Sequence, residues 1–587
     1  MKRQKMFILA AIIVMASMIL SACGAAATPT VAPATVAPAT AAPATAAPAT
    51  VAPATAAPAT AAPTSATSSP DTIIIGTTDK IASLDPADAY ATHDWEIIRN
   101  ISDGLLYMKP GTADVAPDLA TDMGTISADG LTYTYTLKDG IKFGDGTPLT
   151  ATIYAAQLNR LLTIGPKCPN DVADTLAVPY VKSITAPDAK TIVFQLTTPI
   201  AFFPQILAGA PYVASDPAIF KPDACNLFPP APVYGVGAWY VSQYNPDESM
   251  VLLPNPNYTG DLKPQVKQII VRFYSDPNTM ALAVQSGEID VAWRSLSPDQ
   301  LTSLKGVSAL TVGTINGGSI RYLVLNHTMK PFDDPNVDKA IASAIDRNAI
   351  ADTVYAGQVT PLFSMIPPGF LGADQAFDTM YTSPNLDAAK KFLEASGYSA
   401  TNPCKITMWY PPEHYGASTA AWMQLIKTQL EATGEMQVTL NSQEWSTYVP
   451  ALTGGKAYGA GVLGWFFDYP DPSNYLDPFV FNRGEGTNVT LPATGSLTGT
   501  PINDKAKQLV ALLNQADIET DMTKRADLYT QAQTLYADMV VTVPLFFNAE
   551  HVVYRSNIKG DANNAHPENL NIGPDIMYFY SEMSKSQ

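Results

Sequence analysis

The alternation of apolar and polar positions divides the chain into a leading stretch with no folding pattern and a long body of short strands and helices. The body opens at DTIIIGTT, where Ile73–Ile75 form a buried-strand run. A loop, TTDKIASLDPADAY, leads to a helix with Trp95, Ile98, Ile101 and Leu105 on its apolar face. Residues Leu131–Leu137 alternate as a half-buried strand, and KDG and GDG supply tight turns. A helix is expected over Ala151–Leu162, capped by Thr150, and residues Lys182–Leu196 read as two strands around a turn. From Pro232 the pattern is a hairpin, and KQIIVRFYSDPNTMALAVQSGEIDVAW then reads strand, helix, strand. Asp276-Pro277 and Asp334-Pro335 each set an N-cap beside a proline that is pre-shaped for the first helical position.

Between Cys404 and Asp468 the alternation is βαβαβ. Its strands are KITMWY, MQVTLNSQEW and YGAGVLGW, and its helices are Ser418–Thr433 and Ser446–Thr453. Such alternation predicts a parallel sheet with right-handed crossovers, and open α/β sheets bind ligands beyond their strands' carboxyl ends. The segment GVLGWFFDYPDPSNYLDPF, Gly461–Phe479, runs past such an end. It sets one carboxylate, Asp468, among Trp465, Phe466, Phe467 and Tyr469, and Pro470 and Pro472 stiffen the turn. A desolvated carboxylate among aromatic faces suits a ligand with a cationic group on a partly apolar body. The plainer reading is a loop whose aromatics are core and whose aspartates cap helices. A later helix, Asp521–Asp538, precedes the strand-rich VVTVPLFFNAEHVVYR, expected to return to the first lobe.

Composition narrows the function classes. Of 587 residues 47% are hydrophobic, ample for two or three cores. The formal charge is −18, and residues 1–22 carry Lys2, Arg3 and Lys5 with no acid, leaving −21 on the rest. A body this acidic is a poor partner for nucleic acid. MKRQK followed by MFILAAIIVMASMIL has the charge and length of an export signal, too short to span a bilayer comfortably. LSAC ends it at Leu20–Cys23, which resembles the bacterial lipoprotein cleavage site and implies that Cys23 becomes the lipidated first residue. From Val31 a VAPAT or AAPAT pentapeptide runs six times and ends in AAPTSATSSP. Proline at every fifth position forbids regular helix, so 23–70 reads as an extended spacer with a reach on the order of 100 Å.

Cys168 and Cys225 lie in proline-rich loops of an exported chain and are the expected disulfide, with Cys404 free, although spacing alone leaves connectivity open. No HExxH, GxSxG, GxxxxGK[ST] or CxxC is present, and the five histidines lack metal-ligand spacing. No enzyme activity, cofactor or metal is expected. Asp468, Asp471 and Asp477 leave a lipid-anchored glycoside hydrolase as a remote alternative.

Four blocks in order carry a family resemblance: LTYTYTLKDGIKFGDGTPLTA; YNPDESMVLLPNPNYTG with SGEIDVAW; YLVLNHTMKPFDDPNVDKAIASAIDRNAI; and LGWFFDYPDPSNYLDPF. Through nearly all of 71–587 the chain resembles solute-binding proteins of bacterial ABC importers of the peptide/nickel type. The resemblance implies an α/β, type II periplasmic-binding-protein-like fold with two main lobes, a hinge and a third lobe. Lobe I would comprise 71–109, 232–324 and 541–587, lobe II 110–231, and lobe III 325–540. The expected ligand is an oligopeptide or dipeptide, held between lobes I and III and delivered to ABC permease subunits by a monomer anchored at the extracytoplasmic membrane face. In peptide-binding relatives the aspartate matching Asp468 holds the ligand's α-amino group. The residues matching Trp445, Trp293 and Arg294 touch ligand, and Trp465 and Tyr469 flank the carboxylate. Trp293 and Trp445 as core, and Arg294 as a surface charge, is the competing reading. No basic residue stands out in the sequence to receive a ligand carboxylate, which keeps an oligosaccharide or a metal chelate open as cargo.

Overall fold

Eleven strands form one large sheet, and its wiring explains how a single chain builds two halves. The computed structural model describes residues 69–109, 112–170, 172–293, 295–412, 414–416, 418–453, 458–480, 504–560 and 577–586. Residues 1–22, which the sequence reads as an export signal, lie outside the described residues, as do Cys23, the repeat linker and Arg294. In chain order the strands are β1 (Thr72–Thr77), β2 (Trp239–Asn245), β3 (Ser249–Pro254), β4 (Gln268–Phe273), β5 (Val291–Trp293) and β6 (Leu310–Leu325). They continue with β7 (Val359–Pro361), β8 (Cys404–Tyr410), β9 (Met436–Ser442), β10 (Ala460–Trp465) and β11 (Thr542–Arg555). The spatial order is β9-β8-β10-β6-β11-β5-β1-β4-β3-β2, with β7 on β11.

In one half β8 runs parallel to both β9 and β10, as the βαβαβ pattern predicts. In the other, β1 lies parallel to β4 and β5, and the hairpin β2–β3 extends the edge. The halves share β6 and β11. The first part of β6 pairs with β11 from Arg555 back to Ala549, and its last part, Ile320–Leu325, pairs with β10 and with the start of β11. Between those parts, at Asn316/Ile320, the register shifts. Gly318 sits in that irregularity because nothing larger fits: a Cβ there would lie 2.5 Å from the Phe467 ring and from the Tyr475 hydroxyl.

The apolar positions segregate into separate cores. One surrounds β6, β8 and β10 and includes Trp422, Met423, Ile426 and Leu430 of the helix Thr419–Glu431. Two others lie on the half that carries β1, β4 and β5. A further core belongs to residues 105–214, where the strands Thr125–Ile126, Thr132–Thr136, Val181–Thr185 and Thr191–Leu196 form a four-stranded sheet. The helix Ala151–Ile164 packs there, its first turn capped by Thr150 accepting from the Ile153 N–H. From that helix Arg160 reaches Asp85 at 2.6 Å, both side chains almost fully buried, which fixes the loop before Tyr90. Cys168 and Cys225 are joined, S–S 2.02 Å, and Cys404 is a buried free thiol. The tail returns to the first strand: Lys585 pairs with Asp290 at 2.8 Å and donates to the Thr72 carbonyl.

Candidate functional site

The segment leaving β10 distributes its side chains among three cores within five residues. Trp465 and Phe467 enter the core of their own half, Phe466 packs against that core and the one beside β1, and Tyr469 joins the core of residues 105–214. The strand period of two persists through the turn. Trp465, Phe467 and Tyr469 are at most 8% exposed, whereas Gly464, Phe466 and Asp468 stay partly open. Asp468 is therefore the one charged side chain of the segment, set where three hydrophobic bodies meet.

The turn is held rigidly. Asn474, on the helix Ser473–Val480, accepts at Oδ1 from both the Trp465 indole Nε1, 3.1 Å, and the Asp468 N–H, 3.0 Å. Asp471 accepts from the Ser473 N–H, as a cap should, and also takes a two-pronged bond from Arg525 at 2.6 and 2.8 Å. The helix thus begins two residues past Asp471, and the aspartate works mainly as half of a buried ion pair. Tyr469 stacks on Phe202, ring centroids 5.2 Å apart and planes 1° from parallel. Tyr475 closes the arrangement by donating to the Gly318 carbonyl at 2.6 Å.

Asp468 Oδ1 accepts from the Tyr90 hydroxyl at 2.7 Å. No basic side chain among the described residues pairs with Asp468. Burial raises its pKa to about 6, against the opposing pull of Tyr90 and Asn474. A carboxylate kept short of water and of a counter-charge favours a cationic partner. Tyr90 had only a weak sequence signal. It closes the DPADAY loop 378 residues before Asp468, and alternation says nothing about so distant a contact.

The other expected site residues divide. Trp445 opens the helix Trp445–Thr453, is partly exposed, and lies face to face with His414, centroids 3.5 Å apart. Beside it Trp409 stacks on Tyr458 at 4.1 Å. Trp293 is only 2% exposed; its Nε1 donates to Glu96 at 3.2 Å and its ring meets Tyr578 edge-on, so it lies in the core. Trp465 and Tyr469 are likewise interior and support the turn from below. Among the described residues no group of three or more His, Cys, Asp or Glu has an arrangement able to hold a metal, and no helix is long and apolar enough to cross a membrane.

Two sheet halves joined through a pair of long strands, with a lone carboxylate where the cores converge, define an α/β binding protein of the type II periplasmic-binding class. Residues 114–487 match the model of the bacterial extracellular solute-binding proteins, family 5, and the chain belongs to that family, whose members bind solutes and are not enzymes. It is similar to the oligopeptide-binding protein OppA of Bacillus subtilis, 27% identical over 505 residues that cover 81% of this chain and 88% of the relative. It is also 27% identical, over 84% of its length and 91% of the relative's, to the probable D,D-dipeptide-binding periplasmic protein DdpA of Escherichia coli. Among solved structures, the unliganded open form of the periplasmic murein tripeptide binding protein MppA superposes with a TM-score of 0.72 at 22% identity, covering 88% of this chain and 97% of that one.

Proposed function

We propose that the chain captures a short peptide at Asp468 and delivers it to the permease of an ABC importer. The observation that carries this is Asp468 itself: a partly open carboxylate that accepts from the Tyr90 hydroxyl and that no basic side chain among the described residues pairs with. A peptide's α-ammonium supplies the missing charge. Relatives named for oligopeptide and dipeptide binding support the class of cargo. The segregated cores support three lobes with the bounds given above, and the shared strands β6 and β11 support closure of lobes I and III by hinge bending. Lipidation at Cys23 and the repeat linker would hold the protein near the permease at the extracytoplasmic face.

The stacked faces of Trp445–His414 and Trp409–Tyr458 favour a second reading, an oligosaccharide bound on aromatic planes. Native mass spectrometry of the purified full chain separates the two. Co-purified species with peptide masses that exchange against added peptide are expected. Retained sugars or a metal chelate, with no peptide retained or exchanged, would overturn the peptide reading.

A further inference from the structure

Asn474 stands six residues past Asp468, on the helix Ser473–Val480, and is 1% exposed. Its Oδ1 accepts twice, from the Trp465 indole at 3.1 Å and from the Asp468 N–H at 3.0 Å. Only an oxygen accepts from two N–H donors, so its neighbours settle which way the amide faces. Nδ2 is thereby turned away from both donors. It is enclosed, with no hydrogen-bond partner among the described residues. A buried amide N–H without an acceptor is costly, and native structures keep few of them.

The group that Nδ2 lies beside is the Asp468 carboxylate. It falls short of a full hydrogen bond to that carboxylate, yet it lowers the proton affinity there, as Tyr90 also does. No charged side chain joins these two in shifting Asp468. Tyr90 comes from the loop before the helix Thr92–Ile101 and gives its hydroxyl proton to Asp468. Tyr475, whose own proton affinity Asp468 raises, commits its hydroxyl to the Gly318 carbonyl. Asp471, in the same turn, is closed in its pair with Arg525. The two ends of one amide therefore act differently: the acceptor end holds the backbone at Asp468, and the donor end favours the charged form of its side chain.

We propose that Asn474 is a positioning residue for cargo capture: its oxygen sets where the Asp468 carboxylate stands, and its NH2 group keeps that carboxylate charged for the ligand's ammonium. The amide then sets the lower pH limit of capture without touching the cargo. This rests on the reading of Asp468 above and adds what holds that group in its binding form.

The test uses the full chain and a tripeptide mixture with randomised side chains, with affinity read by native mass spectrometry in steps from pH 8 to pH 5. Wild type is expected to lose about tenfold across that range. In Asn474→Asp the introduced carboxylate keeps both N–H donors, which hold it ionised, and its second oxygen opposes Asp468. The loss should then grow to about 100-fold, as a midpoint raised by about one unit requires. Asn474→Leu, uncharged and of similar volume, should steepen the loss in the same direction by less. A role confined to folding would lower affinity equally at every pH. Either variant with the wild-type pH dependence overturns the assignment, and a wild-type loss that Asp468→Asn abolishes keeps the reading of Asp468 standing in that case. Retention of no peptide at any pH overturns the peptide reading, and this assignment with it.

Discussion

Replacing Asp468 by Asn should move affinity and stability in opposite directions. Asn keeps an oxygen to accept from Tyr90 and nearly the same volume, so the change isolates the charge. In the free protein that charge is unfavourable: its pKa rises from 3.8 to about 6 because burial penalises the ionised form. A carboxylate with a raised folded pKa destabilises the fold above that pKa, and the penalty fades as pH falls toward the unfolded value. Two units correspond to about 3 kcal/mol at most, so at pH 7.5 the unliganded Asn variant should be more stable by roughly 1–3 kcal/mol. With a peptide ammonium in place the sign reverses. Removing one partner of a desolvated pair costs about 3–5 kcal/mol, or two to three and a half decades in Kd. Calorimetric titration with peptide and denaturant unfolding of the free protein measure the two effects on the same samples. Acetylating the peptide's amino end should cost wild type a similar amount, and the two losses should not add. An Asn variant that binds peptide as tightly as wild type would refute the pairing, and one less stable than wild type would refute the claim that the charge is strained when the site is empty.

Peptide affinity of wild type should fall about tenfold between pH 8 and pH 5, because only the ionised fraction of Asp468 is competent, and Asp468→Asn should flatten that profile. Arg525→Met leaves Asp471 buried without its partner and should lower unfolding free energy by about 3–5 kcal/mol in denaturant melts, more than the double variant Arg525→Met/Asp471→Asn relative to Asp471→Asn alone. Should the cargo be a sugar, Trp445→Ala would dominate the calorimetric loss and Asp468→Asn would cost about 1 kcal/mol. Cys23→Ser should release the protein from membranes into the soluble fraction, read by fractionation.

Much of the fold was legible because local rules coincide with the final arrangement. The strand limits at Ile73–Ile75, the parallel β8–β9–β10 layer and the capped helices at Asp276 and Asp334 follow from alternation and cap chemistry. Strands β6 and β11 are longer and more central than their patterns suggest, since a strand that changes cores midway does not keep one alternation. At the site, Asp468 stood out as a charge among aromatics, whereas its partner Tyr90 did not. A tyrosine in a loop carries no spacing signal, and its place beside Asp468 arises only once Asp85–Arg160 fixes the segment before it. Trp293 shows the converse: its place after GEIDVA matched a ligand contact, but the nearby Glu96 and Tyr578 enclose it.

Two strands, β6 and β11, carry the sheet across from one half to the other, and they are bonded to each other. Sliding one half past the other would break a ladder of backbone bonds, and so would pulling them apart. For the hinge closure proposed above, this connection leaves as the inexpensive movement a rotation about the line where the register shifts beside Gly318. A body with one rotational coordinate is described by one angle. A single spin-label or fluorophore distance spanning the two halves would therefore report the complete open-to-closed state, and intermediate loading states would fall on one curve rather than fill a plane.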